Sequence, residues 1–455
     1  MDGIVVATMA FLVLAVLDAF RCRHLTHSTT MNRVPNLNKP LVRLKSLVFS
    51  MAIGAFVFGA DPAMSEKKWD RFRGENGLGV LEKCQVQIPW KESQVKVVVL
   101  PGDGNGSPIL AGGMAFLLAA ESTDATRHVV GVDIAKNSIA WTKSYPSKKH
   151  ALHKFSTYAS STPCADNERV YFAWADPDNV VVKAFTHAGD EVWTRNLGRY
   201  VSQHGFGTSP MLVDGKVILL NSQDAQELPL GVQPGEDKMI AMDCKSGKTA
   251  WETALPTTRV CYGVPSVRKV GERTELVCST TGQGMFALDV DNGSVVWSHA
   301  CFEQRVCSSS LLLGNILIGT HGSGGGKDNR LVAWDIESQK ELFRVNRAAP
   351  YVPTPVSVDG LLFLWSDNGI VTCVELSTGT SLWSNRIGGD FSGSPVILGN
   401  KLINVSHDGV VQVLAATREF QKLGTVETGK TVRSTIAADN EHILLRADSE
   451  LLIVR

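Results

Sequence analysis

From residue 93 onward, short runs of Val, Ile and Leu alternate with turns rich in Gly, Asn and Asp. Stretches such as SPMLVDGKVILLN and TPVSVDGLLFLWS each place two apolar runs on either side of an Asp-Gly pair. Asp-Gly and Asn-Gly pairs tolerate the positive φ angles that tight hairpin turns need. The pattern therefore predicts an all-β chain of short antiparallel hairpins.

A second half-unit recurs with Asp, Gly and Trp at fixed offsets, as in MIAMDCKSGKTAWETAL and MFALDVDNGSVVWSHAC. It also reads as a hairpin, so each full unit supplies four short strands, which is the content of one propeller blade. The recurring Trp is predicted to fill the gap between neighbouring blades as core. The complete units end, in order, at Trp141, Trp193, Trp251, Trp297, Phe343, Trp383 and Leu423.

Counting the units predicts eight blades. The seven complete units are followed by three further strands, which end at Arg455. Near the start, SQVKVVVLPG at 93–102 is a strand without a hairpin partner. Because proteins avoid exposed sheet edges, we expect this strand to close the last blade. The prediction is an eight-bladed β-propeller of four-stranded antiparallel blades over residues 93–455, preceded by an N-terminal extension at 61–92.

The N-terminal 60 residues have a different pattern. Residues 4–20 are apolar except for Asp18, and a second apolar run at 47–60 follows two basic residues. The second run predicts a signal peptide at about 43–60, with translation starting at Met31, and a periplasmic or secreted protein. The alternative is a membrane anchor built from the first run. Membrane contact is expected only if residues 1–60 are retained.

Composition narrows the classes of function. Acidic and basic residues number 45 each, so no net charge attracts nucleic acid, and no nucleic-acid partner is expected. The nine cysteines form no C-x-x-C pair, and the chain has no H-E-x-x-H or G-x-S-x-G motif. The segment HGSGGGKD at 321–328 lacks the Ser or Thr that a phosphate-binding loop needs after its Lys, so it is interpreted as a flexible loop. No metal site is predicted.

The pattern A-x-D-x-x-x-G-x-x-x-W, present at Ala241, Asp243, Gly247 and Trp251, resembles the tryptophan-docking repeat of pyrroloquinoline-quinone-like propellers. Upstream, WDRFRGENGLGV at 69–80 resembles the lead-in of secreted propeller proteins of planctomycete bacteria. The resemblance implies a propeller fold. The wider superfamily includes quinoprotein dehydrogenases and a periplasmic scaffold lipoprotein of the outer-membrane β-barrel assembly machinery.

Two functions remain after this resemblance. A quinoprotein would need calcium ligands of Glu, Asn and Asp type and usually adjacent cysteines, whereas this chain has no adjacent cysteines and no such ligand set at matching positions. We therefore expect an exported, non-enzymatic binding or scaffolding propeller without a cofactor and with a protein or peptide partner in the cell envelope. The alternative is an oxidoreductase that uses pyrroloquinoline quinone with calcium. No Cys lies directly after the second apolar run, so a lipid-anchored N-terminus is not expected.

The candidate binding face carries the long irregular connections, because variable loops on a rigid scaffold are common sites of function. Aromatic and basic residues recur just ahead of the inner strands on this face. They are Tyr158, Phe206, Arg259, Tyr262, Arg305, Tyr351, Phe391 and Arg433, with His153 and His204 close by in sequence. We expect them to ring the mouth of the channel and to suit a planar or anionic ligand or a partner peptide. The alternative is that the aromatic side chains fill the channel as core.

Two cysteines occupy corresponding positions at the entry to consecutive inner strands, namely Cys261 and Cys307. Because inner strands converge near the axis, their α-carbons could approach the distance that a disulfide requires. An interblade disulfide would persist in an oxidising compartment. Two alternatives remain: a link between Cys301 and Cys307, and a pair of buried free thiols.

Overall fold

A computed structural model describes residues 69–324 and 326–455, which fold into eight sheets, each built mainly from four antiparallel strands. The structure is therefore the predicted all-β, eight-bladed propeller. Two short 3-10 helices, Glu75–Gly77 and Glu92–Gln94, are the helices of the described part of the chain. The predicted leader at 1–60 lies outside the described residues.

The strands are numbered in chain order, beginning with β1 (Val80–Leu81) and β2 (Val95–Val99). Blade one contains β3 (Ile109–Ala111), β4 (Met114–Ala120), β5 (Arg127–Asp133) and β6 (Ser138–Tyr145), and blade two contains β7 (Cys164–Ala165), β8 (Arg169–Ala175), β9 (Val180–Thr186) and β10 (Glu191–Asn196). Blade three contains β11 (Met211–Val213), β12 (Lys216–Asn221), β13 (Asp237–Asp243) and β14 (Thr249–Leu255), and blade four contains β15 (Ser266–Val270), β16 (Arg273–Thr280), β17 (Gly284–Asp289) and β18 (Val295–His299). Blade five contains β19 (Leu311–Leu313), β20 (Ile316–His321), β21 (Arg330–Asp335) and β22 (Lys340–Val345), and blade six contains β23 (Val356–Val358), β24 (Leu361–Trp365), β25 (Ile370–Glu375) and β26 (Ser381–Arg386). Blade seven contains β27 (Val396–Leu398), β28 (Lys401–Val405), β29 (Val410–Ala415) and β30 (Lys422–Glu427), and blade eight contains β31 (Ala437–Ala438), β32 (Ile443–Ala447) and β33 (Glu450–Val454).

The eighth blade is closed by the N-terminal strand, as the sequence predicts. Its sheet order is β2-β33-β32-β31, so β2 is the outermost strand. The pairing is antiparallel, with Val95 opposite Val454 and Val98 opposite Leu451. Beyond the ladder, the Gln94 side chain donates a hydrogen bond of 2.7 Å to the carbonyl of Arg455. The two ends of the propeller are thus joined, and β33 has a paired neighbour on each side.

The recurring tryptophans dock each outer strand on the next blade. The indole N–H of Trp251 donates to the carbonyl of Val290 at 2.8 Å, and that carbonyl lies in the next blade's turn between strands three and four. Trp193 makes the equivalent bond to Cys244 at 3.0 Å. Both indole rings are buried. Trp193 and Trp251 thus lie between neighbouring blades. The other residues predicted at this position are Trp141, Trp297 and Trp383, with Phe343 in blade five, and each packs against one of the apolar clusters.

The other motif residues shape the turn that receives the indole. Gly247 has a φ of +69°, and a Cβ added there would lie 2.7 Å from the ring of Trp193. Asp243 accepts a hydrogen bond of 2.8 Å from the backbone N–H of Ser246, which fixes the turn. Glycine is therefore required here for two reasons: the backbone is left-handed, and an aromatic ring packs where a Cβ would lie.

We predict that Gly247→Ala lowers the free energy of unfolding by about 2 to 4 kcal/mol, because it adds backbone strain and displaces the Trp193 ring. Gly215 is a matched control, since its φ is +72° and nothing lies within 4 Å of an added Cβ. Gly215→Ala is expected to cost only the backbone strain, about 1 kcal/mol. Urea unfolding of both variants measures the difference. Equal destabilisation would contradict the docking role of Gly247.

The segment before the propeller lies along the axial side of the inner strands. The carbonyl of Trp69 accepts a hydrogen bond from Leu110 in blade one, and the carbonyl of Asp70 accepts one from Ala165 in blade two. Farther along the segment, β1 pairs in parallel with β27, the inner strand of blade seven. Residues 69–81, here named the axial plug, therefore fill the channel. The sequence pattern had separated this segment from the propeller as part of an extension.

Two buried arginines fix the axial plug. Arg73 is 1% exposed, and its guanidinium donates five hydrogen bonds of 2.8 to 3.1 Å to backbone carbonyls, those of Gly77, Leu78, Thr354, Pro355 and Pro395. Burial lowers the pKa of Arg73 to about 9. Arg71 donates to the carbonyl of Pro265 at 2.7 Å. Because the accepting carbonyls belong to three blades, the plug ties distant parts of the ring together.

Candidate functional site

A ring of hydroxyl groups surrounds the axis just ahead of the inner strands. Seven blades place Ser or Thr at this position, and blade four places Val264 there. The backbone N–H of one blade's residue donates to the next blade's hydroxyl at 2.9 to 3.0 Å. The bonds join Ser107 to Thr162, Thr162 to Ser209, Val264 to Ser309, Ser309 to Thr354, Thr354 to Ser394, Ser394 to Thr435 and Thr435 to Ser107. The sequence signal for this ring is the recurring Ser-Pro or Thr-Pro pair.

Above the hydroxyl ring lies a cavity of about 750 Å³, here named the mouth cavity. Its floor is formed by the ring residues and by Phe72 of the axial plug, so the cavity is blind. Nine of the ten predicted residues line it: His153, His204, Phe206, Arg259, Tyr262, Arg305, Tyr351, Phe391 and Arg433. The structure thus brings together side chains that lie as far apart in the sequence as His153 and Arg433.

Tyr158 is the predicted residue that does not line the cavity. Its hydroxyl donates to the carbonyl of His150 at 2.9 Å, and its ring lies 4.9 Å from the Arg127 guanidinium. Arg127 is itself buried and donates to the carbonyl of Ala175 at 2.9 Å. Tyr158 therefore supports the long connection between blades one and two, and it offers no surface to the cavity.

The aromatic residues of the cavity divide into core and wall. Phe206 and Phe391 are buried, and they pack edge-on against Tyr200 and Trp365 respectively, with ring centroids 5.3 Å apart in each pair. Tyr262 and Tyr351 are half-buried and line the cavity. For the two phenylalanines the core interpretation fits the packing, whereas the two tyrosines leave part of their surface toward the cavity.

Three arginines give the cavity wall its charge. The Arg305 side chain is 6% exposed, its Nη2 lies 3.7 Å from Asp224, and its Nε has no partner among the described residues. Arg433 lies 4.5 Å above the ring of Phe155, and its Nη1 is buried without a partner in the described chain. Arg259 forms an ion pair with Glu227 at 3.2 Å. The wall therefore presents hydrogen-bond donors that the protein itself does not satisfy.

The mouth residues that the sequence analysis missed include His407 and Phe155. His407 lies 2.7 Å from Ser392 Oγ, and burial together with the nearby Arg433 lowers its pKa to about 4. Phe155, which is 42% exposed, lies 5.6 Å from the His407 ring. His407 belongs to a short turn of the sequence Ser-His-Asp-Gly, whose pattern predicts only a hairpin, so no sequence signal distinguishes it.

The predicted histidines form a pair at the cavity wall. The rings of His153 and His204 lie 5.4 Å apart. Burial lowers the pKa of His204, with the Arg305 charge acting in the same direction. Since the folded pKa values of His204 and His407 lie below the ordinary histidine value, both rings are neutral at pH 7. The positive charge of the mouth thus comes from the arginines and from Lys154.

Two buried carboxylates hold the connections that carry the wall residues of blades three and four. Asp224 accepts hydrogen bonds of 2.8 Å from the backbone N–H groups of Gln203 and Val260. Asp237 accepts from the backbone N–H of Gln223 at 2.6 Å and from Ser222 at 3.0 Å. Burial, with a smaller contribution from the Asp224 charge, raises the pKa of Asp237 to about 7.

We predict that Asp237 makes the protein less stable as the pH rises through 7. A folded pKa above the unfolded value contributes stability that is complete below the unfolded pKa and is lost as the pH passes the folded pKa. Between pH 5 and pH 8 this loss is about 2 to 3 kcal/mol. Asp237→Asn mimics the protonated side chain. The free energy of unfolding of the variant, relative to that of the wild type, should therefore rise by this amount between pH 5 and pH 8. Urea unfolding at both pH values measures it; an unchanged difference would contradict the assignment.

Cys261 and Cys307 are both free thiols in the structure, so the interblade disulfide is not formed. The Cys261 sulfur lies 3.3 Å from Thr281 Oγ1, and it accepts a hydrogen bond from the Thr281 backbone N–H. Cys307 lines the mouth cavity, and burial raises its pKa to about 12. Cys301 is also free, so all three cysteines are free thiols in the structure.

The residues of the mouth do not fit a calcium-bound quinone. Within the described part of the chain, no three His, Cys, Asp or Glu side chains cluster closely enough to hold a metal ion. The acidic residues of the cavity lining are Asp367 and Asp390. Asp367 already accepts hydrogen bonds from the backbone N–H groups of Tyr351 and Val352, at 2.7 and 3.0 Å. Calcium requires six to eight oxygen ligands, and this lining does not supply such a set of carboxylates.

Fold and site together define a tryptophan-docked, eight-bladed propeller with a blind, arginine-bearing mouth. The sequence matches the family described as outer membrane protein assembly factor BamB over residues 127–381 and 327–454. Because these matches cover more than half of the chain, the protein belongs to this family.

One curated relative is the outer membrane protein assembly factor BamB of Moranella endobia (strain PCIT). It is 24% identical over 197 residues, which are 38% of this chain and 49% of the relative. The chain thus spans about half the length of the curated relative that it matches.

Solved structures show the same fold. BamB from Moraxella catarrhalis aligns with a TM-score of 0.55 at 16% identity, over 79% of this chain and 96% of that chain. Quinohemoprotein alcohol dehydrogenase from Comamonas testosteroni aligns with a TM-score of 0.62 at 12% identity, over 85% and 80%. At these identities the likeness concerns the fold alone. Among the described residues, no helix has the length and apolarity for a membrane crossing.

Proposed function

We propose that the protein is an exported, non-enzymatic scaffolding propeller that binds a protein or peptide partner in the cell envelope through the mouth cavity. The observation that carries the proposal is the blind mouth, where a plug made by the chain itself closes the channel beneath a wall of tyrosine and arginine. Tyr and Arg in a concave site are the residue types that dominate protein-binding energies. The naming of the relatives as assembly factors supports a protein partner.

The loops around the mouth favour a macromolecular partner. The connection between β12 and β13, residues 222–236, opens on the same face as the interblade connections, by the strand order of the blade. Its tip exposes Leu230 completely and Val232 to 42%. Exposed apolar side chains beside a concave site are typical of interaction surfaces. A partner could therefore contact both the cavity and the loop tips.

Site-specific photo-cross-linking tests this proposal. A benzophenone amino acid replaces Phe155 at the mouth or, as a control of similar exposure, Val295 on the outer strand β18; the wild-type residues are 42% and 48% exposed. In envelope preparations we expect a discrete cross-linked adduct from position 155 and none from position 295. No adduct from the mouth, or equal adducts from both positions, would contradict a partner site at the mouth.

The quinone-dependent oxidoreductase remains the alternative that this fold also supports. Purified protein is mixed with pyrroloquinoline quinone and calcium chloride, and the absorbance of bound quinone and dye-linked alcohol oxidation are measured. We expect neither signal, because the acidic residues of the mouth do not form a calcium ligand set. A bound chromophore with dye reduction would replace the scaffold proposal with the enzymatic one.

A further inference from the structure

We propose that the mouth cavity recognises carboxylates on its partner, with Arg305 as the main anchor and Arg433 as a second one; this inference rests on the proposed partner-binding function. Arg305 is nine-tenths buried and lines the cavity, yet its Nε has no hydrogen-bond partner among the described residues. A buried donor without a partner is costly, and an incoming acceptor removes that cost.

The intramolecular partner of Arg305 does not satisfy its guanidinium. The Arg305 Nη2 lies 3.7 Å from Asp224, which is beyond hydrogen-bond distance. Asp224 meanwhile accepts two backbone hydrogen bonds of 2.8 Å from Gln203 and Val260. The carboxylate is thus held in place by backbone groups, and the guanidinium retains donor capacity for a ligand.

The charge balance of the lining also favours an anion. Four cationic side chains line the cavity, Lys154, Arg259, Arg305 and Arg433, against two carboxylates, Asp367 and Asp390. Because Arg259 is paired with Glu227 and Asp224 lies beside Arg305, the excess of positive charge comes chiefly from Lys154 and Arg433. The nearby histidines His204 and His407 have lowered pKa values, so they add no charge at neutral pH. An anionic group entering this lining meets more cations than anions, in a partly dry site where the attraction is strengthened.

The floor adds neutral donors to this wall. Each hydroxyl of the ring already accepts one backbone N–H from the preceding blade, as Thr435 does from Ser394 at 2.9 Å. A serine or threonine hydroxyl that accepts still has its own O–H to donate. Floor and wall therefore share an excess of donors. A carboxylate is the matching chemistry, because it only accepts hydrogen bonds and can bind arginine with both oxygens.

The walls beside Arg305 suit a carboxylate that belongs to a peptide. Tyr262 and Tyr351 come from the lead-ins of the two neighbouring blades and line the same cavity. Such tyrosine faces bury the apolar part of a side chain or chain terminus, while the arginine engages its acid. A small free carboxylate would contact the arginine alone. A peptide carboxylate and a free carboxylate therefore differ in whether they also contact the tyrosines.

Fluorescence anisotropy of the purified full-length protein tests the inference with two labelled octapeptides. One contains three glutamates and one phenylalanine and has a free C terminus, and the other has glutamines and an amidated C terminus. We expect the acidic peptide to bind at least tenfold more tightly. Arg305→Gln should weaken its binding about tenfold, the loss of one charge-assisted bond, and Arg305→Lys should restore part of it. Citrate is the competitor that represents a free carboxylate, and we expect it to displace the peptide only at much higher concentration.

Controls keep the inference falsifiable. Arg344→Gln changes an arginine of the same blade that pairs with Glu341 outside the cavity lining, and it should leave peptide affinity unchanged. Arg433→Gln, at a half-buried position, provides a second test if Arg305→Gln does not fold. Equal binding of the two peptides, no binding of either, or unchanged affinity in the arginine variants would overturn the carboxylate inference. Citrate binding as tightly as the peptide would contradict the claim that the recognised carboxylate belongs to a peptide. A cross-link from position 155 would still support the scaffold function in each case.

Discussion

Deletion of residues 93–100 is expected to abolish the folded state. The deletion removes β2, so β33 becomes the outer edge of blade eight with its backbone groups unpaired. It also removes the buried side chains of Val98 and Leu100, which pack in the cluster that joins blades seven, eight and one. The lost ladder and apolar burial together are comparable to the stability of a typical domain, which is about 5 to 15 kcal/mol.

The deletion is measured by thermal unfolding and size-exclusion chromatography, which should show loss of a cooperative transition and aggregation. Val99→Thr is the matched control, because Val99 is on the same strand and 69% exposed. That substitution should change the free energy of unfolding by less than about 0.5 kcal/mol. A deletion variant with an unchanged transition would show that β2 does not close the ring.

Arg73→Met is expected to lower the free energy of unfolding by about 3 to 5 kcal/mol. The substitution leaves carbonyls from blades six and seven without their donor in a buried site, and unsatisfied buried groups cost about 1 to 3 kcal/mol each before relaxation. Arg73→Lys should also destabilise, since an ammonium cannot reproduce five bonds in a planar fork. The midpoint and slope of the urea unfolding transition measure this change.

Arg386→Met is the control for this prediction. Arg386 is exposed, and it also donates to a backbone carbonyl, that of Asn368 at 3.0 Å. We expect its replacement to change stability by less than about 0.5 kcal/mol. If Arg73→Met unfolded at the same urea concentration as Arg386→Met, the plug would not contribute to holding the ring together.

The fold could be predicted from the sequence because its determinants are local. The offsets of Asp243, Gly247 and Trp251 encode one turn and its docking contact, and they recur from blade to blade. The closure followed from counting, since an unpaired strand at one end and three strands at the other leave a single consistent pairing. Such patterns are visible in one sequence because each unit repeats the same short-range geometry.

The axial plug could not be predicted in this way. Three of the five carbonyl partners of Arg73 are 281 to 322 residues away, and backbone carbonyls are present at every position of a chain. No apolar periodicity marks residues 69–81, because the segment contacts the inner strands of several blades in turn. A buried arginine that binds only carbonyls leaves no complementary acidic residue to search for in the sequence.

The site was predictable where it repeats and missed where it does not. Positions just ahead of each inner strand are equivalent, so their side chains were expected at the mouth, and Arg305 and Tyr351 line it. Tyr158 occupies an equivalent position but turns away, because the long connection around it gives it His150 and Arg127 as partners. Phe155 reaches the mouth from within that same connection, outside the repeat pattern.

Hydrogen–deuterium exchange of the protein, alone and with the partner identified by the cross-link at position 155, tests the central claim most directly. Binding at the mouth predicts slowed exchange in the lead-ins at 150–160, 201–207, 258–263 and 303–308, with the turns at 245–248 and 291–294 on the opposite face unchanged. Slowed exchange confined to those opposite turns, with the lead-ins unaffected, would contradict a partner site at the mouth of the propeller.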